Sequence, residues 1–127
     1  AGVGSTVVAC TARSCTTGFS IGQGSHVTDS TAKDCSQDGF SLATEVRLTH
    51  CLADNNNVGI RGASACHIEQ NTATNNTTTG IIAGAGTLLV RNAATGNASA
   101  FDTTGANAGP VETSAATATS PWANLAY

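Results

Sequence analysis

The sequence predicts an all-β solenoid of about five coils, each 20–21 residues long and stacked on the one before. Three registered columns predict it. Small residues recur as Ala12, Ala32, Ala53, Ala73 and Ala94. Five positions before each stands an aliphatic residue: Val7, Val27, Leu48, Ile68 and Leu89. Seven or eight positions after each stands a large apolar residue: Phe19, Phe40, Ile60, Ile81 and Phe101. Self-similarity at a fixed period marks a repeat architecture, in which one unit buries its apolar face only against its neighbours.

The elements of one coil follow in order. Apolar and polar residues alternate in Ser25-His26-Val27, Val46-Arg47-Leu48 and Phe19-Ser20-Ile21, which is the period of a strand. Ser25, Val46, Cys66 and Thr87 form an inward column two positions before the aliphatic one. Cys10, Ser30, Cys51, Asn71 and Asn92 follow it, and Cys15, Cys35, Asn56, Asn76 and Asn97 follow the alanines. Both of these columns fall in turns, where stacked Asn side chains make amide ladders along the axis. Gly18, Gly39, Gly59 and Gly80 precede four of the large apolar residues. Leucine-rich repeats have a similar length, but Leu is scarce here, and Gly, Thr, Asn and β-branched residues disfavour the helical segment.

This pattern resembles the right-handed parallel β-helix repeats of the pectin-lyase-like superfamily. The resemblance rests on Leu48 through Ile60 and on Ile68-Glu69-Gln70-Asn71-Thr72-Ala73-Thr74-Asn75-Asn76 with Gly80-Ile81, and it extends over residues 4–103. It implies right-handed coils and an exported bacterial protein. It leaves the activity open, because that superfamily holds lyases, hydrolases, epimerases, tailspikes and non-catalytic surface proteins.

The coils are expected over residues 1–103 and a cap over 104–127, with Trp122, Leu125 and Tyr127 covering the last coil. The start of the chain, Ala1-Gly2-Val3-Gly4-Ser5, aligns with Ile21-Gly22-Gln23-Gly24-Ser25. The expectation is therefore the C-terminal part of a larger surface or secreted protein, or a homo-oligomer joined through the open N-terminal coil.

Composition narrows the function. Of 127 residues 40% are hydrophobic and 4% aromatic, so the core is built from small and β-branched side chains. Charged residues are 10%, against about a quarter in average proteins, and the net charge is −3. That offers no electrostatic footing for nucleic acid or for an anionic membrane. No apolar run approaches the roughly 18 residues of a membrane span.

The five cysteines are expected as free thiols. Cys10 and Cys51 share a column two coils apart, roughly 10 Å by strand spacing. Cys15 and Cys35 are stacked neighbours whose parallel side chains suit a disulfide poorly. No close-spaced cluster of the C-x-x-C kind offers a zinc site, and no cofactor is expected.

Function must sit on outward positions. His26, Arg47 and His67 form a row just before the aliphatic column, and Glu69 stands just after it. Asp29 and His50 follow one position later, as neighbours on adjacent coils, and Glu45 flanks the row. These side chains suit hydrogen bonding to polysaccharide hydroxyls or uronates, although no aromatic residue shares the row for stacking on sugar rings.

Catalysis finds less support. The eight acidic residues are scattered, whereas pectate lyases of this fold cluster them around calcium. The Asn-Thr-Asp, Asp-Asp, Gly-His-Gly and Arg-Ile-Lys motifs of polygalacturonase-like hydrolases are missing. The expectation is a non-catalytic structural or polysaccharide-facing module. The alternative is a remnant or subunit of a polysaccharide lyase or hydrolase whose active site lies on other coils or at a subunit interface.

Overall fold

A computed structural model describes residues 1–127. Each coil contributes three short strands. The first holds β1 (Thr6–Val8), β2 (Thr11–Arg13) and β3 (Phe19–Ile21); the second β4 (His26–Thr28), β5 (Thr31–Lys33) and β6 (Asp38–Leu42). The third holds β7 (Arg47–Thr49), β8 (Leu52–Asp54) and β9 (Val58–Gly62); the fourth β10 (His67–Glu69), β11 (Thr72–Thr74) and β12 (Thr79–Ala83). The fifth holds β13 (Leu88–Val90), β14 (Ala93–Thr95) and β15 (Ser99–Asp102). The tail adds β16 (Asn107–Ala108), β17 (Val111–Glu112) and β18 (Asn124–Ala126). First strands pair with first strands, second with second and third with third, giving three parallel sheets.

The register is the one the columns predict. Ala12, Ala32, Ala53, Ala73 and Ala94 pair in sequence up the second sheet. Val7, Val27, Leu48, Ile68 and Leu89 do so in the first. Phe19, Phe40, Ile60, Ile81 and Phe101 do so in the third, with Phe19 and Phe40 stacked at 4.9 Å.

The small columns have a steric cause. A Cβ placed on Gly18, Gly39, Gly59 or Gly80 would lie 2.5–2.7 Å from a backbone oxygen one coil on. It would also come within 2.9–3.1 Å of the Ala32, Ala73 or Ala94 methyl at Gly18, Gly59 and Gly80. The second and third sheets meet here at a distance that admits one methyl group, so Ala faces Gly. The wider part of each coil holds one aliphatic and one large apolar side chain, and from the second coil to the fourth these are fully buried.

Corners between strands use the left-handed backbone region. Between first and second strands it is taken by Ala9, Asp29, His50, Gln70 and Arg91. Between second and third strands it is taken by Ser14, Asp34, Asn55, Asn75 and Gly96. Asn, Asp and Gly are the residues that tolerate this region best. The residue after each corner turns inward and offers its N–H to the next coil. In the Asn rungs a side-chain oxygen accepts it: Cys51 N–H donates to Asn71 Oδ1 at 2.9 Å, Asn71 N–H to Asn92 Oδ1 at 3.0 Å, and Asn56 N–H to Asn76 Oδ1 at 3.0 Å. The rung amides also donate to backbone carbonyls, as Asn76 Nδ2 does to Ala53 O. No buried side-chain polar atom is left without a partner.

The tail departs from the expected aromatic cap. Strand β16 pairs with β13, and β18 then inserts between β14 and β17. The buried residue it delivers is Asn124, which is 0% exposed. Its Oδ1 accepts from Asn92 N–H at 3.1 Å, and its Nδ2 donates to Leu89 O at 2.9 Å. Asn124 is thus the next rung of the ladder. Trp122 and Tyr127 stay 51% and 67% exposed, and Leu125 is half-buried beside Ala93. The end of the solenoid is closed by a hydrogen-bonding rung because the last coil presents an N–H and a carbonyl there, and one side-chain amide satisfies both.

Outside the core, the Lys33 ammonium donates to the Asp54 carboxylate on the next coil, and Thr74 and Asn75 donate to the same carboxylate. The Lys33 contact leads in holding the Asp54 carboxyl below its ordinary range, against an opposing effect of burial.

Two outcomes are expected. Asn76→Ala leaves the Asn56 N–H and the Ala53 carbonyl of the preceding coil without their side-chain partners, and unsatisfied buried groups cost about 1–3 kcal/mol each. Urea unfolding should show a midpoint lowered by an effect of that order, whereas Asn76→Ser, which keeps a hydroxyl on the rung, should lose less. Asp54 has a depressed folded pKa, so its stabilising contribution is complete above about pH 4 and disappears as pH falls through the folded value. The gap in urea midpoint between the wild type and Asp54→Asn should be full at neutral pH and close in acid.

Candidate ligand-binding face

The outer face of the first sheet carries the predicted row. His26, Arg47 and His67 occupy matched positions on β4, β7 and β10. His26 and Arg47 are exposed, and His67 is half-buried. Glu69, two positions along β10, faces the same side and shares a 3.1 Å hydrogen bond with His67 Nε2. Strand alternation explains this pair, since residues two apart on a strand share a face.

Two expected members and the flanking Glu45 fall elsewhere. Asp29 and His50 are left-handed corner residues, with φ of 53° and 54°. They stack on successive coils as expected, but at the corner and off the strand face, because the left-handed turn breaks the alternation that the sequence reading extended through them. Asp29 accepts from its neighbour Thr28 Oγ1 at 3.2 Å. Glu45 is likewise a corner residue, accepting from Gln23 Nε2 at 3.0 Å.

The tail adds what the row lacked. Arg91, the corner residue after β13, reaches three ways. Its Nη1 donates to Glu69 Oε1 at 3.2 Å, its Nε donates to Pro121 O at 3.0 Å, and its guanidinium lies 4.4 Å from the centre of the Trp122 ring. A stacked guanidinium and an aromatic ring attract through the ring quadrupole. Arg91 therefore ties the tail to the sheet and leaves the Trp122 indole half exposed at its edge.

A cleft of about 430 Å³ results. Leu88 and Val90 make its floor, and the stretch from Asn107 to Pro110 together with Trp122 makes its wall. His67 and Glu69 supply its polar end. His26, Arg47, His50 and Asp29 lie outside it. Sequence reasoning assigned neither Leu88 nor Val90 to a site, and it missed Trp122 and Asn107 as members of one. The one signal for Trp122 was a lone Trp after Pro121 in an otherwise Ala- and Thr-rich tail.

The wall depends on close backbone approach. A Cβ on Gly109 would stand 2.0 Å from Trp122 O. Gly109 is held in turn by its N–H to Leu89 O at 2.9 Å and by its carbonyl, which accepts from Asn124 Nδ2 at 3.2 Å.

Comparison with protein families finds a match over residues 1–117 to the family described as the right handed beta helix region. The chain belongs to this family. No curated protein and no solved structure matches it. The family match gives the β-helix its right hand and covers all five coils, while Trp122 and Asn124 lie beyond the matched residues.

Gly109→Ala should push the Trp122 segment off the sheet while leaving the coils intact. Trp122 is the sole tryptophan. The expected result is a shift of intrinsic fluorescence toward a more solvated indole, with the far-ultraviolet β signal unchanged.

Proposed function

We propose that this β-helix is a non-catalytic module that holds a polysaccharide along the outer face of its first sheet, with one sugar residue seated in the cleft at Trp122. The observation that carries this reading is the half-exposed indole beside a hydrogen-bonding imidazole and carboxylate, over an apolar floor. A sugar ring has an apolar C–H face and a rim of hydroxyls. The first packs on Trp122, Leu88 and Val90, and the second meets Glu69, His67 and Asn107. Sites for small ligands are mostly apolar with a few placed polar groups, and about 430 Å³ lies within their common range.

Two features refine the reading. Glu69 is the charged residue lining the cleft, and Arg91 is engaged by Glu69, Pro121 and Trp122 instead of facing it. A neutral, hydroxyl-rich sugar fits there better than a uronate. Glu69 is also the one carboxylate in the cleft, whereas glycosidases use two, about 5–9.5 Å apart. This supports binding over hydrolysis. Outside the cleft, Arg47 and His26 continue the row down the axis and supply donors for further residues of the polymer.

A glycan array followed by titration calorimetry tests this. Neutral oligosaccharides should bind more tightly than oligogalacturonates, and Trp122→Ala should weaken binding at least tenfold without unfolding the protein. If no oligosaccharide binds, or if Trp122→Ala binds as the wild type does, the reading fails.

A further inference from the structure

We propose that Cys15 and Cys35 form a two-coordinate thiolate site for a soft monovalent cation, Cu(I). They are successive rungs of one inward column, and no other two cysteines follow one another in a column. Cys10 and Cys51 are separated by Ser30, and Cys66 stands between Val46 and Thr87. The column becomes Asn56, Asn76 and Asn97 further on, where facing side-chain atoms of successive rungs approach to 3.2 and 2.8 Å. In the first two coils the same rung positions carry two sulfurs.

Their geometry is set by equivalent contacts. Cys15 Sγ donates to Arg13 O at 3.3 Å, and Cys35 Sγ donates to Lys33 O at 3.5 Å. The two side chains therefore adopt the same orientation, and their sulfurs repeat at the coil spacing of about 4.8 Å. A metal–thiolate bond is about 2.3 Å, so a cation held linearly between the sulfurs needs about 4.6 Å. The two lengths agree without movement of the backbone.

The surroundings select the ion. Both cysteines line a cleft of about 400 Å³ with Ser14, Thr16, Asp34 and Asn55. The Asp34 carboxylate is already engaged by Arg13 at 3.0 Å and Asn55 at 2.8 Å. Two sulfur ligands with no free carboxylate or imidazole do not complete the tetrahedral shell of zinc, whereas thiolates select Cu(I). Cys15 is exposed and gives the ion entry. Burial pushes the free Cys35 thiol up, with the Cys15 N–H opposing it. On binding, each sulfur gives its proton to solvent as its bond to copper forms, and the copper stays Cu(I) throughout.

The test is competition between the protein and a coloured Cu(I) chelator, without oxygen and with a non-thiol reductant. Wild type should bind one Cu(I) per chain, and Cys15→Ser and Cys35→Ser should each weaken binding at least 100-fold. Cys51→Ser should bind as wild type does. Circular dichroism checks each fold, and Cys15→Ser decides alone if Cys35→Ser fails to fold. Equal affinity in wild type and Cys15→Ser, or an equal loss in Cys51→Ser, overturns the assignment.

Discussion

Hydrogen bonding between coils is the constraint on which the other features depend. It does not stop at the ends of strands. Of 79 backbone hydrogen bonds, 44 lie outside the strand ladders, and many of these join a corner to the corner of the next coil. Gly24 N–H donates to Thr44 O, for example, and Glu45 N–H to Ser64 O. A chain stitched in this way around its whole circuit cannot slip in register at one sheet alone. Like residues must then lie over like residues, about 4.8 Å apart, and each column has to satisfy itself. Apolar columns do so by contact, Asn columns by hydrogen bonding, and the Ala and Gly columns by being small enough to let two sheets approach.

The same constraint turns the end of the solenoid into a problem in hydrogen bonding before it is one of hydrophobic cover. The fifth coil offers Asn92 N–H and the Leu89 carbonyl to whatever comes next. A sixth coil would meet them with another Asn at the usual interval. The tail meets them with Asn124, 32 residues later, by sliding β18 in beside β14. That insertion places Trp122 next to Arg91, and the Arg91–Glu69 contact then joins the tail to the sheet face. Closure of the solenoid and construction of the cleft are thus one event: the strand that satisfies the last rung also brings in the indole.

The ladders also show how much chemistry a repeat tolerates once its geometry is set. Asn, Ser, Thr and Cys all occupy rung positions. Ser25 Oγ accepts from Ser5 N–H at 3.0 Å, and Thr87 Oγ1 from Cys66 N–H at 3.1 Å. Where Cys stands, a weaker sulfur acceptor takes the place of the amide oxygen. Burial pushes the Cys51 thiol up to about 11, in a place where an Asn would be neutral at any pH. Substitution along a column leaves the backbone unchanged but alters which reagents the column can hold.

The sequence by itself determined the period, the registered columns and the outward row, because parallel stacking writes the spatial neighbour into the chain at 20 or 21 residues. His67 and Glu69 were legible for the same reason, as strand neighbours two apart. Their surroundings were not. Asp29 and His50 occupy left-handed corners, where alternation no longer says which way a side chain faces. Asn124 and Trp122 reach their places through a strand insertion that obeys no period, so no spacing announces them. Only the tertiary structure decided that the last rung comes from the chain end, and with it that one end of the polar row becomes a cleft. The physical reason is that a repeat specifies each coil through its neighbours, and the final coil has a neighbour on one side only.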